Sequence, residues 1–312
     1  KTKESLLEKV DLSQSFFIVI SKSGRTIETL SQFLVMLDFC KKKEIEPKDK
    51  FLVITDGDND KNRIRNIAEG LEIEIIEHEK VGGRFSIFTN VGLLPAALCE
   101  VEIEKILLGA REELHGFYDN PLGSKALEGA AVSHLLVEKG YTSTVMMPYI
   151  DRFKNFSNWW CQIWAESLGK TDDVLTPIKA LGTIDQHSQM QLFLQGRKDK
   201  LFTIVRSKGF SSGIKIATSD VTSAEAEYLN GHDFANIIEA SAAATSETMI
   251  DNNLPVRDIV IEELDETIFG KICVQFILEV ILLAKYLRIN PFDQPAVEQG
   301  KKLAIEKLKK GV

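Results

Sequence analysis

Ile18-Val19-Ile20-Ser21-Lys22-Ser23-Gly24-Arg25-Thr26 passes from an apolar β-branched run into hydroxyls, a glycine and two cations. Phe16–Ile20 reads as a buried strand. Thr26–Lys43, with Leu30, Phe33, Leu34 and Leu37 at helical spacing, reads as the helix after it. The turn between them lies where a parallel sheet presents ligands, outside the carboxyl end of a strand. Free N–H groups and the positive end of the helix dipole favour an anion there. Ser21, Ser23 and Thr26 supply hydroxyls, Gly24 permits close backbone approach, and Lys22 or Arg25 can add charge. A plain helix cap by Thr26 or Ser23, with Glu28 in the first turn, is the simpler reading. It uses one hydroxyl and leaves the other features unexplained.

Further along, Phe51–Thr55 reads as a second strand, ended by the turn Asp56-Gly57-Asp58-Asn59. A helix near Arg63–Glu69 then leads to a strand near Ile73–Glu77. Helices follow at Gly92–Leu98, broken by Pro95, and at Glu102–His115, before the turn Asn120-Pro121-Leu122-Gly123. The alternation then restarts. Strands are expected at Thr144–Met147, near Val174–Lys179, at Leu201–Val205 and at Asp258–Glu263. Helices are expected at Ser124–Lys139, Phe156–Leu168, Gln186–Leu194, Asp233–Thr248, Ile268–Leu287 and Ala296–Lys310. Strands alternating with helices imply parallel sheets covered on both faces. The expected architecture is α/β, with a first domain over 1–119, a second over 120–287 and a C-terminal helical arm over 288–312.

With 312 residues, 44% hydrophobic and 27% charged, the chain is long enough for two cores. A net charge of −8 argues against nucleic acid as a partner, so an anionic ligand must be held by local groups. Cys40, Cys99, Cys161 and Cys273 have no paired spacing and read as reduced thiols of a cytoplasmic protein. The scattered histidines suggest no metal site. No apolar run is expected to approach the length of a membrane span. Lys1-Thr2-Lys3-Glu4-Ser5 does not read as a signal peptide.

Ser21–Thr29 (SKSGRTIET) resembles the phosphate loop of the sugar isomerase (SIS) fold. Five further segments, in order, resemble the glucose-6-phosphate isomerase family. They are Gly82-Gly83-Arg84-Phe85-Ser86 with Val91-Gly92-Leu93-Leu94-Pro95, and Gln162-Ile163-Trp164-Ala165-Glu166-Ser167-Leu168-Gly169-Lys170. Gly182-Thr183-Ile184-Asp185-Gln186-His187-Ser188-Gln189, Tyr228-Leu229-Asn230-Gly231 and Phe292–Lys301 complete the set. The family usually has Gly where Ala296 stands and often Trp where Pro295 stands. Its Gly-Ile-Gly-Gly-Ser segment, due some tens of residues before Ser21, does not appear, so the chain is expected to begin partway through a longer protein.

The resemblance implies two SIS-type domains and an isomerase that interconverts glucose 6-phosphate and fructose 6-phosphate without a cofactor or metal. Ring opening and proton transfer between C2 and C1 through a cis-enediol need a base, an acid/base for the ring, and a cation for the oxyanion. By resemblance these are Glu166, His187 with Lys301, and Arg84. Ser21, Lys22, Ser23, Thr26, Gly83, Gln162 and Gln294 would bind substrate. His187 would enter from the partner subunit of a homodimer. A bifunctional glucose/mannose 6-phosphate isomerase and a non-catalytic sugar-phosphate-binding regulator are the alternatives.

Local sequence bears on each role. Phe156, Trp159, Trp160, Ile163 and Trp164 form one helical arc with Gln162 and Glu166 at its edge, and Gly169 marks the helix end. Partial burial and the negative end of the dipole there would both favour a protonated Glu166. A solvent-facing glutamate is the plain alternative. Asp185 reads as an N-cap that puts His187 in a first helical turn, where the dipole favours neutral imidazole. A structural histidine is equally compatible, as are an exposed Arg84 after its glycines and a solvated Lys301 on a lysine-rich helix. His78, His115, His134 and His232 read as structural.

Overall fold

The computed structural model describes residues 10–57, 61–218 and 224–311. The first residues of the chain and part of the Asp56–Asn59 turn lie outside them. The chain forms two compact units that divide between Val101 and Glu102.

The first unit is a parallel sheet of three strands, β1 (Phe17–Ile20), β2 (Phe51–Thr55) and β3 (Glu74–Glu77), in spatial order β1-β2-β3. Val19 lies opposite Val53, and Val53 opposite Ile75. The central strand β2 is buried along its whole length, as its unbroken FLVIT run requires of a sheet covered on both faces. Helices α1 (Ile27–Lys42) and α2 (Arg63–Gly70) make the crossovers. Phe33 and Cys40 of α1 and Ile64 and Ala68 of α2 pack on Phe51 and Val53 to form the core. A 3-10 stretch over Gly83–Phe88 leads into α3 (Asn90–Leu98).

Pro95 does not break α3, contrary to the sequence expectation. The turn before it is held by Gly92 and Leu93, whose N–H groups both donate to the Thr89 carbonyl (3.0 and 2.9 Å). The helix therefore loses one bond and continues.

The second unit holds a four-stranded parallel sheet in the order β5-β4-β6-β7, from β4 (Ser143–Pro148), β5 (Thr176–Lys179), β6 (Lys200–Ser207) and β7 (Val256–Ile261). Its helices are α4 (Ile103–Asp119), α5 (Lys125–Glu138), α6 (Lys154–Leu168), α7 (Gly182–Ser188), α8 (Met190–Gln195), α9 (Phe234–Asp251), α10 (Glu266–Tyr286) and α11 (Glu298–Lys309). Val145 and Met147 of β4, Phe202 and Ile204 of β6, and Ala242 and Met249 of α9 share one core cluster.

The sequence reading put α4 in the first domain, 1–119. In the structure it belongs to the second unit, which extends through the C-terminal arm. Glycines explain why it docks there. A Cβ on Gly109 of α4 would stand 1.9 Å from the Thr267 carbonyl of α10, and one on Gly270 would stand 2.1 Å from the Ile106 carbonyl. Two glycines facing two backbones let the helices approach more closely than any side chain would allow.

The α10 run also corrects an expectation, being long and apolar enough by length and composition to cross a membrane. Within this unit it packs against α4, α5 and α6. Its buried Glu279 accepts two bonds from Arg257 of β7 (2.9 and 2.7 Å).

Candidate active site

Ser21 opens the loop at the carboxyl end of β1. Its N–H donates to the Ile54 carbonyl, and its own carbonyl accepts from the Gly24 N–H (3.3 Å) and the Thr55 hydroxyl (2.6 Å). The Lys22 carbonyl accepts from the Asp56 N–H (3.0 Å). Asn62 sits beneath the loop, fully buried. Its Nδ2 donates to Thr55 Oγ1 (2.7 Å), and its Oδ1 accepts from the Arg65 N–H (3.0 Å), which caps α2.

The simple capping alternative accounts for little of this loop. Thr26 occupies the N-cap position of α1 with extended backbone, but its hydroxyl makes no capping bond. Ser23 Oγ accepts only a long bond from the Arg25 N–H (3.4 Å). The Ser21 hydroxyl is buried without a hydrogen-bond partner, a state that buried polar groups rarely keep. Lys22 and Arg25 are exposed. The loop thus presents hydroxyls and a helix N-terminus that the fold has not used, which is the donor chemistry of an anion seat.

Arg84 is buried, at 2% exposure, with its guanidinium 5.3 Å from the Phe85 ring centroid, and is not the exposed arginine of the simpler reading. Gly82 has ordinary extended backbone, and a Cβ on Gly83 would meet nothing within 4 Å. The two glycines therefore do not serve a tight turn. Ser86 and Phe85 hold the segment by bonding back to the Gly83 and Gly82 carbonyls.

In the second unit, α6 buries Phe156, Trp160, Ile163 and Trp164, and Trp164 Nε1 donates to the Leu175 carbonyl (2.7 Å). That arc leaves Gln162 exposed and Glu166 half-buried, with Gln162 Nε2 donating to Glu166 Oε1 (3.1 Å). Gly169 caps the helix, its N–H donating to the Ala165 carbonyl (2.9 Å). One residue on, Lys170 pairs with Asp293 (2.7 Å) and also donates to the Asn290 carbonyl. These contacts tie the start of the C-terminal arm to the end of the helix that carries Glu166. Gln294 is exposed, and Lys301 is exposed on α11 and pairs with Glu298 (2.8 Å).

His187 departs from expectation. The stretch expected as one helix from Gln186 is two, α7 and α8. Leu181 is the N-cap of α7, and His187 lies in its last turn, so the first-turn dipole argument falls away. Asp185 lies inside the helix, where Oδ2 accepts from the Leu181 N–H (2.6 Å) and Oδ1 from the Ser188 hydroxyl (2.8 Å). His187 is exposed and lines a cleft of about 320 Å³ with Gln186, Met190, Ser241 and Thr245.

Several supporting residues escaped the sequence reading. Asn62 left a faint signal, a good capping residue just before a helix. Thr55, Tyr149 and Thr245 left none, and Lys170 and Asp293 stand in two of the segments that resemble the family without either announcing the other, because these partners are distant in the chain.

Two flanked parallel sheets, a hydroxyl-rich turn at a strand end and a half-buried carboxylate paired with a glutamine define a protein of the sugar-isomerase class. The phosphoglucose isomerase family model matches residues 2–311, so the chain belongs to that family, whose named members are glucose-6-phosphate isomerases. The probable glucose-6-phosphate isomerase of Methanococcus maripaludis is 36% identical over 309 residues, covering 96% of this chain and 67% of that one. A hypothetical protein of Thermus thermophilus has a similar structure, with a TM-score of 0.92 at 30% identity over 99% of this chain and 75% of that one. A glucose-6-phosphate isomerase of Chlamydia trachomatis shares the fold, with a TM-score of 0.82 at 21% identity over 98% of this chain and 62% of that one. The chain spans about two thirds of the length of the curated relatives it matches.

Proposed function

We propose that the chain interconverts glucose 6-phosphate and fructose 6-phosphate by ring opening and proton transfer through a cis-enediol(ate). The observation that carries this reading is the end of α6. There Glu166 is half-buried, steadied by Gln162, and adjoins a lysine that fastens the C-terminal arm. A base needs a fixed carboxylate with an accessible face, and packing on one side with an exposed edge on the other supplies both.

Glu166 moves the proton between C2 and C1, and Gln162 contacts a substrate hydroxyl. Ser21, Lys22, Ser23 and Thr26 take the phosphate with the N–H groups of their loop, while Gly83 and Gln294 complete substrate contacts. Arg84 steadies the enediolate, its burial strengthening its field at a developing oxyanion. His187 and Lys301 open the ring.

The topology of the second sheet supports a homodimer in which His187 serves the partner's substrate. Helix α6 runs back from the carboxyl end of β4 to the amino end of β5, so Glu166 stands at the amino edge of the sheet. His187 follows the carboxyl end of β5. The length of that strand, about 13 Å for four residues at ~3.3 Å each, separates the two groups within one chain. The four cysteines are free, as thiols of a cytoplasmic enzyme would be.

Incubation with glucose 6-phosphate in deuterium oxide tests the reading. Fructose 6-phosphate should form, with solvent deuterium entering at the transferred position. Absence of both product and exchange would refute it.

A further inference from the structure

Beyond the groups that touch substrate, the second unit contains a line of polar contacts that starts on buried Thr245 and Tyr149 and reaches the surface at His187. Tyr149 lies just past β4 at 4% exposure, its N–H donating to the Val205 carbonyl (2.7 Å). Because β4 and β5 run parallel, the residue after one strand and the helix after the other emerge at the same sheet edge, and Tyr149 meets α7 there.

It grips that helix twice. A Cβ on Gly182 would stand 2.4 Å from Tyr149 Cγ, so the ring lies against the bare backbone of the first helical residue. One turn on, the Tyr149 hydroxyl is 2.8 Å from Gln186 Oε1. The same hydroxyl is 2.7 Å from Oγ1 of Thr245, on the buried face of α9. A phenol has one proton to give. If it is given to Gln186 Oε1, the Thr245 hydroxyl donates to Tyr149, and the Gln186 amide nitrogen is left facing His187 Nε2 at 3.5 Å. The donors then run one way, from Thr245 through Tyr149 and Gln186 to the imidazole.

We propose that Tyr149 is a positioning residue for His187, fixing helix α7 and orienting the Gln186 amide so that it donates to Nε2 and holds the imidazole in the Nδ1–H tautomer. Its consequence for catalysis rests on the reading of His187 as the ring-opening group. The physical basis is local. Among the described contacts no other partner holds the exposed ring, and α7 has only seven residues, too few to set its own angle to the sheet. A buried phenol bonded on two sides, with its ring against a glycine, supplies the missing restraint.

Nitrogen-15 NMR of histidine-labelled protein tests the tautomer directly. The His187 Nε2 resonance should fall in the unprotonated range, and Tyr149→Phe and Gln186→Leu should each move both ring nitrogens toward the averaged position of a free imidazole. Gln186→Leu keeps the buried ring, so it tests the chain even if Tyr149→Phe folds poorly. Kinetics supply the second readout. Tyr149→Phe should lower kcat for glucose 6-phosphate about 10-fold with little change in KM. Isomerisation of a tetrose 4-phosphate should be spared, because its O4 carries the phosphate and it has no hydroxyl to close a ring. Unmoved nitrogen resonances in both variants, or equal losses on the cyclic and open-chain substrates, would overturn the proposal. If His187→Ala leaves glucose 6-phosphate turnover intact, the ring-opening reading fails, and the tautomer result stands or falls separately.

Discussion

Asn62 occupies the space that a side chain on Gly24 would need. Its Oδ1 lies 1.6 Å from the position of a Gly24 Cβ, and Gly24 has φ +59°. The candidate phosphate loop is thus held to the second strand by one glycine, one buried amide and the Thr55 hydroxyl.

Gly24→Ala should therefore cost about 2 kcal/mol or more of stability through its left-handed backbone, and should weaken inorganic phosphate binding. Asn62→Ala frees the space at the cost of a helix cap worth about 1 kcal/mol. The double variant should be less damaged than the sum of the two, because the overlap has gone. Urea unfolding of all four proteins measures the coupling, and strict additivity would contradict the contact.

Glu166→Gln should retain sugar-phosphate binding while turnover falls about 10²–10⁴-fold, the range for loss of a general base. Calorimetric titration with fructose 6-phosphate alongside initial rates separates the two effects. Near-normal turnover would remove Glu166 from the role of base.

The Arg257–Glu279 pair offers a test of packing distant from the chemistry. Glu279 is 1% exposed, and Glu279→Leu leaves a guanidinium without its counter-charge, so a loss of about 3–5 kcal/mol is expected. Arg257→Met added to it should recover much of that loss. Chemical denaturation reads both, and an unchanged midpoint for the single variant would show that the pair contributes little.

Asp185 gives the second unit a pH signature. Burial tends to raise its carboxyl pKa, but bonds from Gln189, the Leu181 N–H and the Ser188 hydroxyl outweigh it and hold the group below the usual carboxylate range. A folded value below the unfolded one stabilises the fold at neutral pH. That contribution is complete above the unfolded pKa and is lost as pH falls through the folded one. The stability gap between the protein and Asp185→Asn should accordingly shrink as pH drops below about 4. Urea midpoints from pH 6 to about 3 would check this, and a gap independent of pH would count against it.

Local pattern made much of the fold legible. The unbroken FLVIT run marked the buried central strand, and α1 and α6 showed their apolar faces at helical spacing. FFIVI is a parallel strand as expected but is not buried: β1 lies at one side of the β1-β2-β3 order, is half-buried along its length, and leaves Phe16 exposed. The glycines of α4 and α10 gave no such warning. A close approach of two backbones needs two segments, and neither announces the other.

The candidate site divides in the same way. Sequence by itself marked the candidates: the Ser21–Thr26 hydroxyls by residue type at the end of a strand, and Glu166, Gln162 and Arg84 by the family resemblance of the segments that hold them. Only the tertiary structure decided their states. It buried Arg84, left the Ser21 hydroxyl unpartnered, moved His187 to the end of a short helix, and set Tyr149 beneath it. Spacing along a helix or strand is fixed by backbone geometry within a few residues. Burial and hydrogen-bond partnership depend on what the rest of the chain brings alongside, and for Tyr149 and Thr245 that partner lies 96 residues away.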